Sequence, residues 1–164
     1  MEISKEIEGN PIVHDTKNGK LRYTAWEYPC NYGAFPQTWE DPQKLVRDLG
    51  IAGDGDPLDV CEISGTPIPR GCVIPVRVLG VLALIDEGEC DWKVLALRQD
   101  IPVAHPSTDA MKKIRDWFAE YKIPDGKQAN TYAYDGAILP VGEALGVVKE
   151  THLQWMEAFS ILKM

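Results

Sequence analysis

Three aspartates fall within six residues of the segment GDGDPLDV: Asp54, Asp56 and Asp59. A second acidic group, Asp86, Glu87, Glu89 and Asp91, occupies DEGECD. Both border apolar, strand-like runs. Carboxylates crowded within a few ångströms repel one another, and their pKa values rise until some of them are neutral. A divalent cation removes that cost, and a donor set made only of oxygen suits Mg²⁺ or Mn²⁺ better than zinc. Either loop alone is ordinary material for a solvated turn. The metal reading therefore depends on a fold that brings the two together. An EF-hand is excluded by spacing, because the sixth position counted from Asp54 is Asp59 where that loop needs glycine. No phosphate-binding glycine loop, nucleophile elbow or dinucleotide fingerprint is present.

The elements that must position these residues follow from pattern. On an extended chain, residues two apart point to one side, so Asp54 and Asp56 are expected to converge, with Asp59 joining them through a bend. DEGECD reads as a hairpin in which Ile85 pairs with Trp92, drawing Asp86 to Asp91 and placing Asp91 and Lys93 on one face. Strands are expected over Lys20–Trp26, Leu58–Ile63, Cys72–Ile85 (bent or bulged at Pro75 and Gly80) and Trp92–Leu97. Ala110, Met111, Ile114, Trp117, Phe118 and Tyr121 recur at helical spacing over Asp109–Lys122. Ser107 or Thr108 would cap that helix and Pro124 would stop it. A second helix is expected over Gly142–Lys163, its stripe being Ala144, Leu145, Val148, Trp155, Phe159 and Leu162. The expected fold is α+β, a single domain over residues 1–164, with a barrel-like β core and two C-terminal helices.

Composition narrows the partners. The chain has 164 residues, 45% of them hydrophobic, and a net charge of -8. That charge argues against nucleic acid and against anionic membrane surfaces. No apolar run reaches the ~18–20 residues needed to span a bilayer, and MEISKEIEGN lacks a secretory apolar region. A cytoplasmic protein is expected. The four cysteines, Cys30, Cys61, Cys72 and Cys90, form no C-x-x-C pair and read as buried reduced thiols. His14, His105 and His152 have no metal-ligand spacing.

GDGDPLDV resembles the signature of the family I soluble inorganic pyrophosphatases. NPIVHDTKNGKLRY, NYGAFPQTWEDP, LALIDEGECDWKVLAL and WFAEYKIPDGK resemble further segments of the eukaryotic type, in the same order. The resemblance implies Mg²⁺-dependent hydrolysis of inorganic diphosphate to two phosphates. It also implies a closed five-stranded OB-like barrel flanked by helices, and a homodimer. It casts Glu2, Asp54, Asp59, Asp86 and Asp91 in the metal site, and Asp56 as the base that holds the attacking water. Arg22, Tyr32, Lys93, Tyr121 and Lys122 would bind phosphate oxygens. Taken alone, Tyr32 and Tyr121 read as core aromatics, Arg22 as an outward strand residue and Lys122 as a helix-end charge. Family members carry more sequence before the segment matching MEI, including a lysine two residues ahead of the counterpart of Glu2, and a longer C-terminal tail. The expectation is a chain truncated at its N-terminus with reduced turnover. The alternative is a relic or fragment that binds metal or phosphate with weak or no turnover.

Overall fold

The computed structural model describes residues 2–17, 19–46, 48–102 and 108–159. In chain order the strands are β1 (Glu2–Ile3), β2 (Ile12–Val13), β3 (Thr16–Lys17), β4 (Lys20–Leu21), β5 (Asn31–Ala34), β6 (Leu45–Val46), β7 (Ile51–Ala52), β8 (Asp59–Glu62), β9 (Val76–Asp86), β10 (Glu89–Arg98) and β11 (Thr131–Tyr132). The helices are α1 (Thr108–Glu120) and α2 (Val141–Ala158). One mixed five-stranded sheet runs in the order β11-β9-β10-β8-β5, and the other strands form three two-stranded pairs, β1-β2, β3-β4 and β6-β7. The architecture is α+β.

The β9–β10 hairpin is the spine. Its turn residues Glu87 and Gly88 both have positive φ, 53° and 94°, as a two-residue hairpin loop requires. The register pairs Cys90 with Ile85 and Trp92 with Ala83. This corrects the expected Ile85–Trp92 pairing: the two-residue turn sets Asp86 opposite Glu89, so Asp91 is the diagonal neighbour of Asp86. A register shift at Leu95/Ala96 interrupts the ladder close to Gly80, the bulge expected from that glycine. A Cβ on Gly80 would meet the Leu139 carbonyl oxygen at 2.7 Å, so only glycine lets the 138–139 segment bridge to Val81.

The VLALI run is apolar throughout because both faces of the sheet are covered. Val81, Ala83, Cys90, Trp92 and Val94 pack with Leu58 and with Ala144 of α2. Leu82, Leu84, Leu95 and Cys61 pack with Ile114 and Phe118 of α1. Full burial of residues such as Ile114 and Phe118 is worth about 1.5–3 kcal/mol each. Helix α1 matches its expected span, and beyond it a short helical turn, Ile123–Asp125, closes on Gly126 at φ 80°.

Four expectations are corrected. Only Lys20–Leu21 of the expected strand Lys20–Trp26 is a strand, because its partner β3 is two residues long. In α2 the buried positions are Ala144, Thr151 and Gln154. Leu145 and Phe159 are exposed at 51% and 62%, since close approach of the helix to the sheet favours its small and polar side chains there. Cys72 is exposed, whereas Cys61 and Cys90 are buried. The loop at Asp54 is also not extended, as described below. Leu162, Lys163, His105 and the capping role of Ser107 lie outside the described residues.

Candidate active site

The acidic segment Gly53–Asp56 wraps around Glu40. Glu40 N–H donates to the Asp56 carbonyl at 2.9 Å, Gly55 N–H donates to the Glu40 carbonyl at 2.8 Å, and Trp39 Nε1–H donates to the Gly55 carbonyl at 3.1 Å. A Cβ on Gly53 would stand 2.6 Å from the Glu40 backbone, and Gly55 holds φ 80°. The two glycines of GDGDP thus serve a close crossing and a left-handed turn. That turn corrects the expected convergence of Asp54 and Asp56. The Asp54 carboxylate accepts the Asp56 N–H at 2.8 Å, while the Asp56 side chain is half exposed and pairs with Lys5 at 2.6 Å.

Asp54 instead meets Glu40 and Asp91. One carboxylate oxygen of each of the three lies within 4.8 Å of the other two. Glu40 accepts the Trp92 N–H through Oε1 at 3.0 Å, and its Oε2 is buried without a hydrogen-bond partner. Burial, reinforced by Asp54 and Asp91, pushes the Glu40 carboxyl well up. Burial likewise raises Asp54 to about 6 and Asp91 to about 7, the latter against the opposing pull of Lys93. An orphaned buried oxygen in an all-oxygen trio fits a hard divalent cation, which would satisfy the lone pairs and remove the repulsion.

Lys93 stands beside this trio. Its buried side chain donates to Asp91 at 2.6 Å and to Asp59, and reaches Tyr32 Oη at 3.3 Å. The parallel β8–β10 register sets Asp59 level with Lys93, and Asp59 also accepts the Tyr32 hydroxyl. Burial pulls the Lys93 pKa down, but Asp59, Tyr32 and Asp91 outweigh it and hold the ammonium protonated. At the end of α1, Lys122 Nζ meets Asp86 at 2.5 Å and the Tyr121 hydroxyl donates to Asp86 at 3.2 Å. Burial, with Asp86 next, raises Tyr121, which also senses Lys93 and Asp91 and so stands between the two groups. Arg22 donates to Asp15 at 3.0 Å and lies 3.6 Å from Asp125. Glu2, exposed in β1, acts on Lys5 from a distance.

The structure therefore gathers Asp54, Asp59, Asp91, Lys93 and Tyr32, sets Asp86, Tyr121 and Lys122 next to them, and ties Asp56 to the N-terminal strand pair through Lys5. The singled-out acids of both loops thus meet. Glu40 is the residue sequence reasoning passed over. It sits in TWEDP, which reads as a turn, and its contacts with Trp92 and Asp91 span some fifty positions. Its one sequence signal is an acid wedged between Trp39 and Asp41-Pro42 in a segment already matched to a family pattern.

Comparison with known proteins places this arrangement. The family model described as inorganic pyrophosphatase matches residues 1–156. An inorganic pyrophosphatase of Homo sapiens is 45% identical, the match covering 94% of this chain and 59% of that protein. A soluble inorganic pyrophosphatase 1, chloroplastic, of Chlamydomonas reinhardtii is 44% identical over 99% of this chain and 60% of its own length. The structure of inorganic pyrophosphatase from Schistosoma japonicum superposes with a TM-score of 0.91 at 44% identity, covering 96% of this chain and 61% of that one. The chain thus spans about three fifths of the length of these relatives. With the family match running through both acidic loops and both helices, the chain belongs to the inorganic pyrophosphatase family.

Proposed function

We propose that this chain hydrolyses inorganic diphosphate to two phosphates with bound divalent cations, Mg²⁺ being the cation of the reading. The observation that carries it is the Glu40–Asp54–Asp91 trio, buried at Glu40 and Asp91 and half-buried at Asp54, with its orphaned oxygen, beside a rim of lysine and tyrosine side chains. Asp54, Asp59, Asp86 and Asp91, with Glu2 and Glu40, would hold the cations. When bound, such cations supply charge neutralisation and Lewis acidity toward phosphoryl oxygens and water. Asp56 is the general base: its carboxylate is solvent-accessible, two residues from Asp54, and paired with the displaceable Lys5. Lys93, Lys122 and Arg22 bind phosphate oxygens as cations, and the Tyr32 and Tyr121 hydroxyls orient them as neutral donors. Phosphoryl transfer asks chiefly for such positioning and charge compensation. A net charge of -8 is then compatible with an anionic substrate, because the field at the site is set locally.

The test is phosphate release from diphosphate in Mg²⁺ against EDTA. Release in Mg²⁺ alone supports the reading. Metal-dependent stabilisation without release would assign the chain to a metal- or phosphate-binding module instead.

The remaining expectations belong to the same proposal. Residues 1–164 act as one domain, checked by a single cooperative unfolding transition. The five-stranded sheet is the wall of an OB-like closed barrel, although the hydrogen bonding described above pairs β5 and β11 on one side each. An experimental structure with those edges joined would bear it out. The assembly is a homodimer, which light scattering would reject by finding a monomer or hexamer. Among the described residues no helix is long and apolar enough to cross a membrane. The proposed location is cytoplasmic, and fractionation that placed the chain in an organelle would overturn it.

A further inference from the structure

Two thiols lie behind the rim of this site. In the antiparallel β5–β8 pair, Tyr32 is opposite Cys61 and Asn31 is opposite Glu62. Cys30 lies in the bend one residue before β5, and the ladder continued past Asn31–Glu62 would make it the diagonal neighbour of Cys61. The same diagonal, one step along the ladder, joins Tyr32 to Asp59, and there the side chains are in direct hydrogen-bond contact. Cys30 is packed against the cluster that contains Cys61, Leu82 and Phe118. The Cys30 thiol also exceeds burial among the influences that push the Cys61 thiol up. Cys61 is fully buried and Cys30 is partly open to solvent.

We infer that Cys30 and Cys61 form a reversible dithiol–disulfide pair whose closure shifts Tyr32 out of its place beside Asp59 and Lys93 and so slows the chemistry at the adjoining site. The oxidant is a peroxide. The Cys30 sulfur attacks one peroxide oxygen, the O–O bond breaks, and the departing oxygen leaves as water with the thiol proton, leaving a sulfenic acid. The Cys61 sulfur then attacks the Cys30 sulfur, the S–O bond breaks, and a second water leaves with the Cys61 proton. Two thiols and one peroxide give one disulfide and two waters. A dithiol reductant reverses the result by exchange.

The geometry gives the bond its lability. Diagonal positions in an antiparallel pair stand ~7–8 Å apart, whereas a relaxed disulfide needs Cα atoms within about 4.4–6.8 Å. Closure must therefore pull β5 toward β8. Among the described strands β5 is paired on one side only, so it has the freedom to move. Asn31, pinned at 2.8 Å to both Glu62 and the Thr66 carbonyl, keeps the strand in register, so the displacement falls on the flanking residues Cys30 and Tyr32. A bridge strained in this way is readily reduced, the property of a regulatory disulfide.

The experiment treats the full chain with hydrogen peroxide, blocks free thiols, and maps cross-links by mass spectrometry, with diphosphate hydrolysis followed before and after dithiothreitol. The expected result is a Cys30–Cys61 cross-link, a fall in free thiols from four to two, and a rate loss of about 10- to 100-fold, as for an ångström-scale misplacement of a site group, restored by the reductant. Cys30→Ser, at a partly open position, should fold and lose the sensitivity. A cross-link through Cys72 instead, over-oxidation of Cys30 without a cross-link, or a cross-linked chain that hydrolyses at the untreated rate each overturns the inference. The activity arm rests on the function proposed above. A chain that never hydrolyses diphosphate fails that reading, while the cross-link and thiol count still decide whether the pair forms.

Discussion

Metal binding at the acidic trio should be linked to protons, and the linkage can be worked from the burial of its members. Without a cation, Asp91 is raised to about 7, Asp54 to about 6, and Glu40 well above its ordinary range. At pH 6.5 this leaves Asp91 about three-quarters protonated and Asp54 about one-quarter, so a cation must displace about one proton from these two carboxyls. Protonation attenuates binding at pH 6 about elevenfold through Asp91 and about twofold through Asp54, and hardly at all through either at pH 8. The Mg²⁺ affinity should therefore tighten about twentyfold from pH 6 to pH 8, or about 2 kcal/mol at about 1.4 kcal/mol per decade. At saturating Mg²⁺ the gain in Tm over EDTA should be larger at pH 8 by roughly 4–8 °C. The metal-free chain should behave in the opposite sense. A carboxyl whose folded pKa is raised contributes stability that is present below its ordinary pKa and lost as pH climbs through the folded value. The EDTA-treated protein should thus lose stability between about pH 4 and pH 7. Calorimetric titration of Mg²⁺ in two buffers of different ionisation enthalpy counts the released protons directly. Affinity flat between pH 6 and 8, or weakening as pH rises, would refute the assignment of the cation to this trio.

Three substitutions probe the rest of the site, and a fourth on α2 serves as a control. Asp56→Asn should cut hydrolysis by about 10²- to 10⁴-fold yet shift Tm little, because its ion pair with Lys5 is exposed; near-normal turnover would move the base elsewhere. Glu40→Gln should weaken Mg²⁺ binding at least about tenfold without lowering the metal-free Tm, since burial beside Asp54 and Asp91 already disfavours the charged carboxylate that the amide replaces; unchanged Mg²⁺ affinity would exclude Glu40 from the cation site. Gly53→Ala should destabilise by about 1–3 kcal/mol in urea titrations, because its Cβ meets the Glu40 backbone at 2.6 Å. Gly146→Ala, in open space on α2, should stabilise by roughly 0.5–1 kcal/mol, and equal effects at the two glycines would contradict the close crossing at Gly53.

What could be read from the sequence was what local physics determines. The Ile114–Phe118 stripe, the Glu87-Gly88 turn and the Leu58–Ile63 run carry their own periodicity or turn chemistry, and each forms close to its expected place. The hairpin register did not follow, because a slip of two residues leaves every side chain on its own face, so the pattern is unchanged and only the turn length decides it. The Asp54–Asp56 geometry failed for a related reason. Glycine permits φ 80° as readily as extended backbone, and the choice was made by contacts with Glu40 more than a dozen positions away. Leu145 and Phe159 show the same limit on α2, where apolar spacing suggests a face but tertiary fit selects Ala144, Thr151 and Gln154. Glu40 was hidden because its role is entirely long-range.

The ion pairs of the site suggest why its acids and bases are so evenly matched. Lys93 sits on Asp59 and Asp91, Lys122 on Asp86, and Lys5 on Asp56. Each lysine with a proposed substrate role is held by a carboxylate with a proposed metal role. Breaking a buried pair by removing one partner leaves an uncompensated charge and costs about 3–5 kcal/mol. A cation arriving alone would strand Lys93, and a diphosphate arriving alone would strand Asp59 and Asp91. Arriving together they exchange partners, the carboxylates passing to the cation and the lysines to the phosphate oxygens, so no buried charge is left unmatched. Metal and substrate binding should therefore be positively coupled, each tightening the other by the same factor. The coupling should be strongest through Lys93, the most buried of the three. Lys5 and Asp56, at 57% and 51% exposure, are already compensated by water and should contribute least to it.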